Sequence, residues 1–148
     1  MAQNLFKNSE LLLVQEYLPS DFDWRVGILN GEVLYVCKYY MAKGHWQIVN
    51  NDQSKDNEGD FETVEIKNTP KAVLDLALKA AKLIGKGLYG IDLKEIDSKM
   101  YLIEINDNPS IDFGIEDKID GIKLYEKIMQ YFLDEMNKQR RLTTNEKS

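Results

Sequence analysis

The first half of the chain consists of short apolar runs separated by turn-forming residues, a pattern that predicts strands. Residues 11–18 form a dense apolar run ending at Pro19, and its length and composition predict a buried strand. Residues 22–29 and 32–40 flank Asn30-Gly31, a dipeptide typical of two-residue hairpin turns. Residues 46–49 and 61–66 are two further strand candidates, and the polar segment 50–59 between them predicts a loop.

Two later stretches carry apolar residues at helical spacing. Thr69 and Pro70 predict a helix start, with the threonine as N-cap and the proline in the first turn, and Gly85 predicts its end. A last helix is predicted from one apolar stripe: Ile122, Tyr125, Met129, Phe132 and Met136. The polar residues 139–148 predict a disordered tail. The pattern as a whole predicts an α+β domain over residues 1–138, with a mostly antiparallel sheet and two helices packed on one face.

A second predicted hairpin, residues 88–96 and 100–106, carries polar side chains among apolar ones. If Asp97, Ser98 and Lys99 form a three-residue turn, Asp92 lies directly opposite Glu104, whereas a turn with an even number of residues would break this alignment. Asn106 is two residues beyond Glu104 and points to the same face. Facing carboxylates repel unless a cation lies between them, and oxygen ligands alone favour Mg²⁺ or Mn²⁺ over zinc. Spacing leaves open the alternative that both carboxylates simply face solvent.

Composition narrows the class of protein. The chain has 148 residues, about one domain, and a formal net charge of −6 without a strong basic run, which counts against non-specific nucleic-acid binding. No apolar run reaches the roughly 20 residues of a membrane span. The amino terminus lacks the apolar stretch of a secretory signal, and the single cysteine, Cys37, cannot form an internal disulfide. We therefore expect a cytoplasmic protein, with Cys37 as a small core residue.

Two motifs resemble those of a known family. Gly90-Ile-Asp-Leu followed by Glu104-Ile-Asn-x-x-Pro resembles the closing motif of ATP-grasp ligases, especially the RimK type, which join a carboxylate to an amine using ATP. Upstream, Val14-Gln-Glu-Tyr-Leu and Asp23-Trp-Arg-Val resemble the nucleotide hinge of that family and the strand after it. The two motifs occur in the family's order, about 70 residues apart, and the similarity runs from about residue 11 to about residue 115.

The resemblance implies a role for each matching residue. Asp92, Glu104 and Asn106 would hold one or two Mg²⁺ ions that bridge the ATP phosphates. Asp23 would bind the ribose hydroxyls, and Arg25 would lie near the transferred phosphate or the acyl phosphate. The hinge residues would contact the adenine, largely through backbone groups: Gln15, Glu16, Tyr17 and Leu18. Lys38 is either a phosphate contact or a charge at a strand edge, and Asp23, Glu16 and Arg25 could equally be ordinary surface charges or ion-pair partners.

The resemblance also implies what a complete site would need. Members of this family hold ATP between two lobes, and the first lobe carries phosphate-binding lysines. No segment before residue 11 could form that lobe, so we expect this chain to be the carboxyl-terminal lobe alone and to show no ligase turnover by itself. The implied partners are ATP, a carboxylate substrate, an amine substrate and the missing lobe. The alternative is a non-catalytic nucleotide-binding or interaction module.

Overall fold

A computed structural model of the protein describes residues 10–11, 14–41 and 60–145. Three strands come first: β1 (Phe22–Leu29), β2 (Glu32–Tyr40) and the short β3 (Phe61–Thr63), followed by a 3-10 turn at Ile66–Asn68. Helix α1 (Lys71–Ile84) leads into the hairpin of β4 (Leu88–Ile96) and β5 (Lys99–Asn106), and helix α2 (Ile122–Asn145) ends the described chain. The predicted strand at 46–49 and the predicted loop at 50–59 lie outside the described residues.

The strands form one antiparallel sheet in the order β3-β2-β1-β4-β5. This arrangement confirms the predicted α+β class and the antiparallel sheet. The predicted turn between β1 and β2 is also confirmed, since Asn30 and Gly31 both have positive φ, as a hairpin turn that matches the strand twist requires. Thr69 does not cap α1 as predicted: the helix begins one residue later, and the Thr69 hydroxyl donates to the Glu65 carbonyl.

The two helices cover different faces of the sheet, which corrects the prediction that both pack on one face. Successive side chains of a strand point to opposite faces. One core cluster joins α1, through Val73 and Ala77, to Val36 of β2, and the other joins α2, through Leu124, to Cys37 of β2. Each helix has an apolar stripe, but a stripe on its own does not specify which side of a sheet it covers.

Helix α2 buries a different stripe from the predicted one. Leu124 and Ile128 are buried, whereas Ile122 and Met129 of the predicted stripe are exposed. Both sets have helical spacing, so periodicity alone could not separate them. The helix also continues through Gln139 to Asn145, where the sequence predicts a disordered tail, and the first four of these residues are strong helix formers. In the described ranges no helix is apolar and long enough to cross a membrane.

Residues 11–18 differ most from prediction. The described part of this segment, which lacks residues 12 and 13, belongs to no strand or helix. The side chains of Leu11 and Val14 are 82% and 89% exposed, so the prediction of a buried strand is wrong for this structure. An apolar run favours burial, but it does not specify the surface against which it is buried. β3 is likewise shorter than the predicted strand at 61–66, because the 3-10 turn follows closely.

Candidate functional site

The hairpin of β4 and β5 brings the predicted metal residues together by a route that the sequence did not predict. Asp92 lies directly opposite Glu104, as predicted. The turn, however, has two residues, Asp97 and Ser98, both with positive φ, and Ile96 pairs with Lys99. Between Leu93 and Asp92 the register shifts by one residue of β5, so that Leu93 pairs with Leu102 but Asp92 pairs with Glu104. The bulge therefore places Asp92 and Glu104 side by side in spite of the even-numbered turn.

Asn106 lies at the end of β5, next to Glu104 on the same face. It pairs with Gly90 of β4, and its Oδ1 accepts a hydrogen bond from the Asn108 N–H at 2.9 Å, which turns the chain away from the strand. A Cβ at position 90 would lie 2.8 Å from Pro109. Glycine at position 90 thus lets the segment after Asn106 fold back over the sheet, which gives the first residue of the Gly-Ile-Asp motif a structural reason.

Arg25 lies on β1 directly opposite Asp92 and binds it through two hydrogen bonds. Its Nε and Nη2 each lie 2.9 Å from an Asp92 carboxylate oxygen, and the two side chains are only 23% and 18% exposed. Two parallel bonds of this kind are the strongest contact that a guanidinium makes with a carboxylate. The hydrogen bonds to Asp92 raise the pKa of Arg25 against the opposing effect of burial, so the arginine is charged at every relevant pH.

A second ion pair lies beside the first, with the acidic residue on β1 and the basic residue on β4. Lys94 Nζ is 2.5 Å from Asp23 Oδ1 and 2.7 Å from Ser20 Oγ, and Lys94 and Asp23 are both largely buried. Because Asp23 and Lys94 are two residues from Arg25 and Asp92 along their strands, all four side chains share one face. Positive and negative charges alternate there, so Asp92 and Asp23 are both neutralised from within the chain.

The donor set fits a hard divalent cation. Asp92, Glu104 and Asn106 supply two carboxylates and an amide oxygen on one face, the ligand type that Mg²⁺ prefers. Glu104 and Asn106 are exposed, so their oxygens are accessible to an ion. Within the described ranges no group of three or more His, Cys, Asp or Glu side chains could hold a metal, and this set contains only two such residues. A cation here would therefore need ligands from elsewhere, such as phosphate oxygens.

The structure does not bring every predicted residue to this patch. Gln15, Glu16 and Tyr17 are exposed and Leu18 is half-buried, in the segment before β1 that belongs to no strand. Lys38 lies on the opposite face of the sheet, where its Nζ is 2.9 Å from Glu62 and 5.2 Å from the centroids of the Phe22 and Trp24 rings. Alternation along β2 separates Lys38 from Arg25, because its neighbour Tyr39 is the residue that contacts the arginine.

Three residues near the patch were missed by sequence reasoning: Lys94, Tyr39 and Glu116. Tyr39 lies under the Arg25 guanidinium, with 4.9 Å from Cζ to the ring centroid, and its hydroxyl donates to the buried Glu116 carboxylate. Lys94 could have been found from its spacing, since it is two residues beyond Asp92. Glu116 carried no such signal, because it belongs to an acidic loop that gives no indication of burial.

Cys37 is buried on this side of the sheet, in agreement with its predicted core position. Burial, then the nearby Glu116 carboxylate, raises the pKa of the Cys37 thiol to about 12. The reactive thiolate is therefore almost absent at neutral pH.

We expect iodoacetamide at pH 8 to leave Cys37 of the folded chain unlabelled and to label it fully in denaturant, as measured by mass spectrometry. Rapid labelling of the folded chain would contradict the buried position.

Comparison with known proteins identifies the family. The RimK-like ATP-grasp domain matches residues 2–132 of the 148. The chain belongs to this family. The RimK-like domain includes both segments whose motifs suggested the resemblance, the one before β1 and the β4–β5 hairpin. No curated protein sequence matches this chain.

Solved ATP-grasp ligases share the fold. D-alanine–D-alanine ligase from Bacillus anthracis matches with a TM-score of 0.70 at 18% identity, over 94% of this chain and 48% of that one. The same enzyme complexed with ATP matches with a TM-score of 0.59 at 18% identity, over 82% and 43%. The ligase PsnB, complexed with a phosphomimetic precursor variant, Mg and ADP, gives 0.52 at 24% identity, over 77% and 34%. This RimK-like chain therefore spans half or less of the length of these ligases.

Proposed function

We propose that this RimK-like chain is the ATP- and Mg²⁺-binding lobe of a ligase that joins a carboxylate to an amine. The observation that carries the proposal is the cluster of Asp92, Glu104 and Asn106 on one face, with Arg25 bound to Asp92 from the next strand. Solved ligases of the same fold, complexed with ATP in one case and with Mg and ADP in another, support the proposal. The match of residues 2–132 to the RimK-like domain supports the choice of reaction class.

In the proposed reaction a substrate carboxylate attacks the γ-phosphate of ATP, which gives an acyl phosphate and ADP. The amine then attacks the acyl carbon, and phosphate leaves as the amide forms. Neither step needs a nucleophile from the protein, which agrees with the buried thiol of Cys37. The protein instead aligns the reactants and stabilises charge that moves between oxygens.

Each residue of the patch has a part in this proposal. Asp92, Glu104 and Asn106 would hold Mg²⁺, which neutralises phosphate charge when it is bound. Arg25 would direct its remaining N–H groups to the phosphate that is transferred, since a guanidinium matches the geometry of phosphate oxygens. Asp23 would accept hydrogen bonds from the ribose hydroxyls, with Lys94 holding its carboxylate in place. Gln15, Glu16, Tyr17 and Leu18 would offer their backbone to the adenine.

Lys38 has no part in the proposed site, because it lies on the other face of the sheet with Glu62. The remaining phosphate contacts would come from the lobe that precedes this region in two-lobed ligases. The structural neighbours are two to three times as long as the part that this chain matches, which leaves room for such a lobe in the complete enzyme.

The metal site can be tested directly with Mn²⁺, whose unpaired electrons broaden nearby NMR signals. We expect the backbone amide signals of Asp92, Glu104 and Asn106 to broaden first as Mn²⁺ is added, and to do so at lower Mn²⁺ when ATP is present. ATP should strengthen binding because its phosphate oxygens complete the ligand set. Lys71 and Asp75, an exposed charged pair on α1, provide the internal control. Equal broadening at both places, with and without ATP, would contradict the proposed site.

A further inference from the structure

Arg25 is held from two directions. Asp92 binds the edge of the guanidinium through Nε and Nη2, while Cζ lies over the Tyr39 ring, 4.9 Å from its centroid. The two carboxylate bonds fix the direction of the guanidinium edge, but they leave its plane free to tilt about the line that joins the partners. The Tyr39 ring next to Cζ limits this tilt, and the contact is itself attractive.

The Tyr39 ring is in turn held by the loop that follows β5. Its hydroxyl donates to Oε1 of Glu116, and the Asp112 N–H donates to Oε2 of the same carboxylate at 2.8 Å. Glu116 is only 1% exposed, so the carboxylate is removed from water and depends on these bonds. The loop is tied to the sheet at a second point, where the Thr63 hydroxyl donates to the Ile115 carbonyl at 2.7 Å.

We propose that Tyr39 and Glu116 are positioning residues that fix the plane of the Arg25 guanidinium toward the transferred phosphate. The chain of contacts runs from the loop to Glu116, then to Tyr39, Arg25 and Asp92, and so links the segment after the metal-binding strand to the arginine. The inference rests on the proposed role of Arg25. Neither Tyr39 nor Glu116 has to touch the nucleotide for this purpose.

The same loop offers a matched control. The Tyr125 hydroxyl donates to Asp117 at 3.1 Å, so this second tyrosine also binds a buried carboxylate of the loop. Tyr125 lies on α2, and its hydroxyl is bound to Asp117, whereas the Arg25 guanidinium lies over the ring of Tyr39. Removing its hydroxyl perturbs the loop in a similar way but leaves the ring under the arginine in place. A difference between the two variants therefore reports on positioning and not on general loosening of the loop.

The test is an NMR measurement of the Arg25 Nε–H group in the full chain. The sequence contains three arginines, Arg25, Arg140 and Arg141, so few such signals occur, and the Arg25 signal is assigned by its loss in Arg25→Lys. We expect Tyr39→Leu to move this signal downfield, because the shielding above the ring face disappears. Tyr39→Phe and Glu116→Gln keep the ring but weaken its anchor, so they should broaden the signal. Tyr125→Phe should leave its position and width unchanged.

Calorimetry with ATP and Mg²⁺ separates this inference from the proposed function. We expect Tyr39→Leu to weaken ATP binding roughly tenfold, the loss typical of residues that orient a ligating group, and Tyr125→Phe to have no effect. If Tyr39→Phe and Glu116→Gln broaden the Arg25 signal while ATP affinity stays constant, the positioning is upheld and the proposed phosphate role of Arg25 fails. If Tyr39→Leu folds and leaves the signal as in the wild type, the positioning inference is wrong. If Tyr39→Leu does not fold, the same conclusion follows from an unchanged signal in Tyr39→Phe and Glu116→Gln. An equal change in Tyr125→Phe would also overturn it.

Discussion

Replacing Glu104 by glutamine is expected to weaken ATP binding about 10- to 100-fold with Mg²⁺ present and to leave it nearly unchanged without Mg²⁺. The glutamine keeps the size and an oxygen ligand but removes one negative charge, and of the bound groups only the cation is attracted by that charge. A unit charge about 4 Å from an ion contributes about 1 kcal/mol in water and about 4 kcal/mol near a protein surface, and each 1.4 kcal/mol changes affinity about tenfold. Calorimetry of ATP binding with Mg²⁺ and with EDTA measures both values.

Asp23→Asn is the matched variant for this experiment. It also replaces a carboxylate by an amide on the same face, but the proposed ribose contact does not involve the ion. Its effect on ATP binding should therefore be the same with and without Mg²⁺. Lys94 loses its charged partner in this variant, so thermal unfolding must first establish that both proteins are folded. Equal losses for Glu104→Gln in the two conditions would mean that Glu104 does not act through a cation.

Gly27→Ala is expected to lower the free energy of unfolding by about 3 kcal/mol, at the upper end of the range for overpacking a core. The Tyr35 ring lies flat on this glycine, and an added Cβ would lie 2.3 Å from the ring atom Cε1. Tyr35 is buried, so the ring cannot swing out into solvent without losing its contacts. In a chain of this size the melting temperature should fall by roughly 6–12 °C. Thermal and urea unfolding, followed by circular dichroism, measure the change.

A double-mutant cycle identifies the cause of this loss. Tyr35→Ala alone should be strongly destabilising, but adding Gly27→Ala to it should cost little more, because the colliding ring is gone. Gly31→Ala is the control: apart from its own chain neighbours, no atom lies within 4 Å of its added Cβ, and its cost of about 1 kcal/mol arises from the positive φ of 84°. That cost should be unchanged in the Tyr35→Ala background. A Gly27→Ala penalty that persists without Tyr35 would show that the ring contact is not responsible.

Local sequence signals predicted the elements around the site well, because each depends on neighbouring residues alone. Asn30-Gly31 specifies a turn with positive φ, and the alternation along β5 places Glu104 and Asn106 on one face. The alignment of Asp92 with Glu104 was nevertheless predicted from the wrong turn length. The two-residue turn would shift the pairing by one residue, and a bulge in β5 shifts it back. No local sequence pattern predicted the bulge.

The sequence by itself determined the α+β class and the antiparallel hairpins and predicted which side chains we propose as metal ligands, since all of these depend on periodicity and on motifs within about 20 residues. Only the tertiary structure decided which strands are neighbours, and so paired Arg25 with Asp92 and Asp23 with Lys94 across 67 and 71 residues. It also decided which faces the helices cover and which stripe α2 buries. The physical reason is that burial and ion pairing depend on the surface a residue meets, and that surface comes from distant parts of the chain.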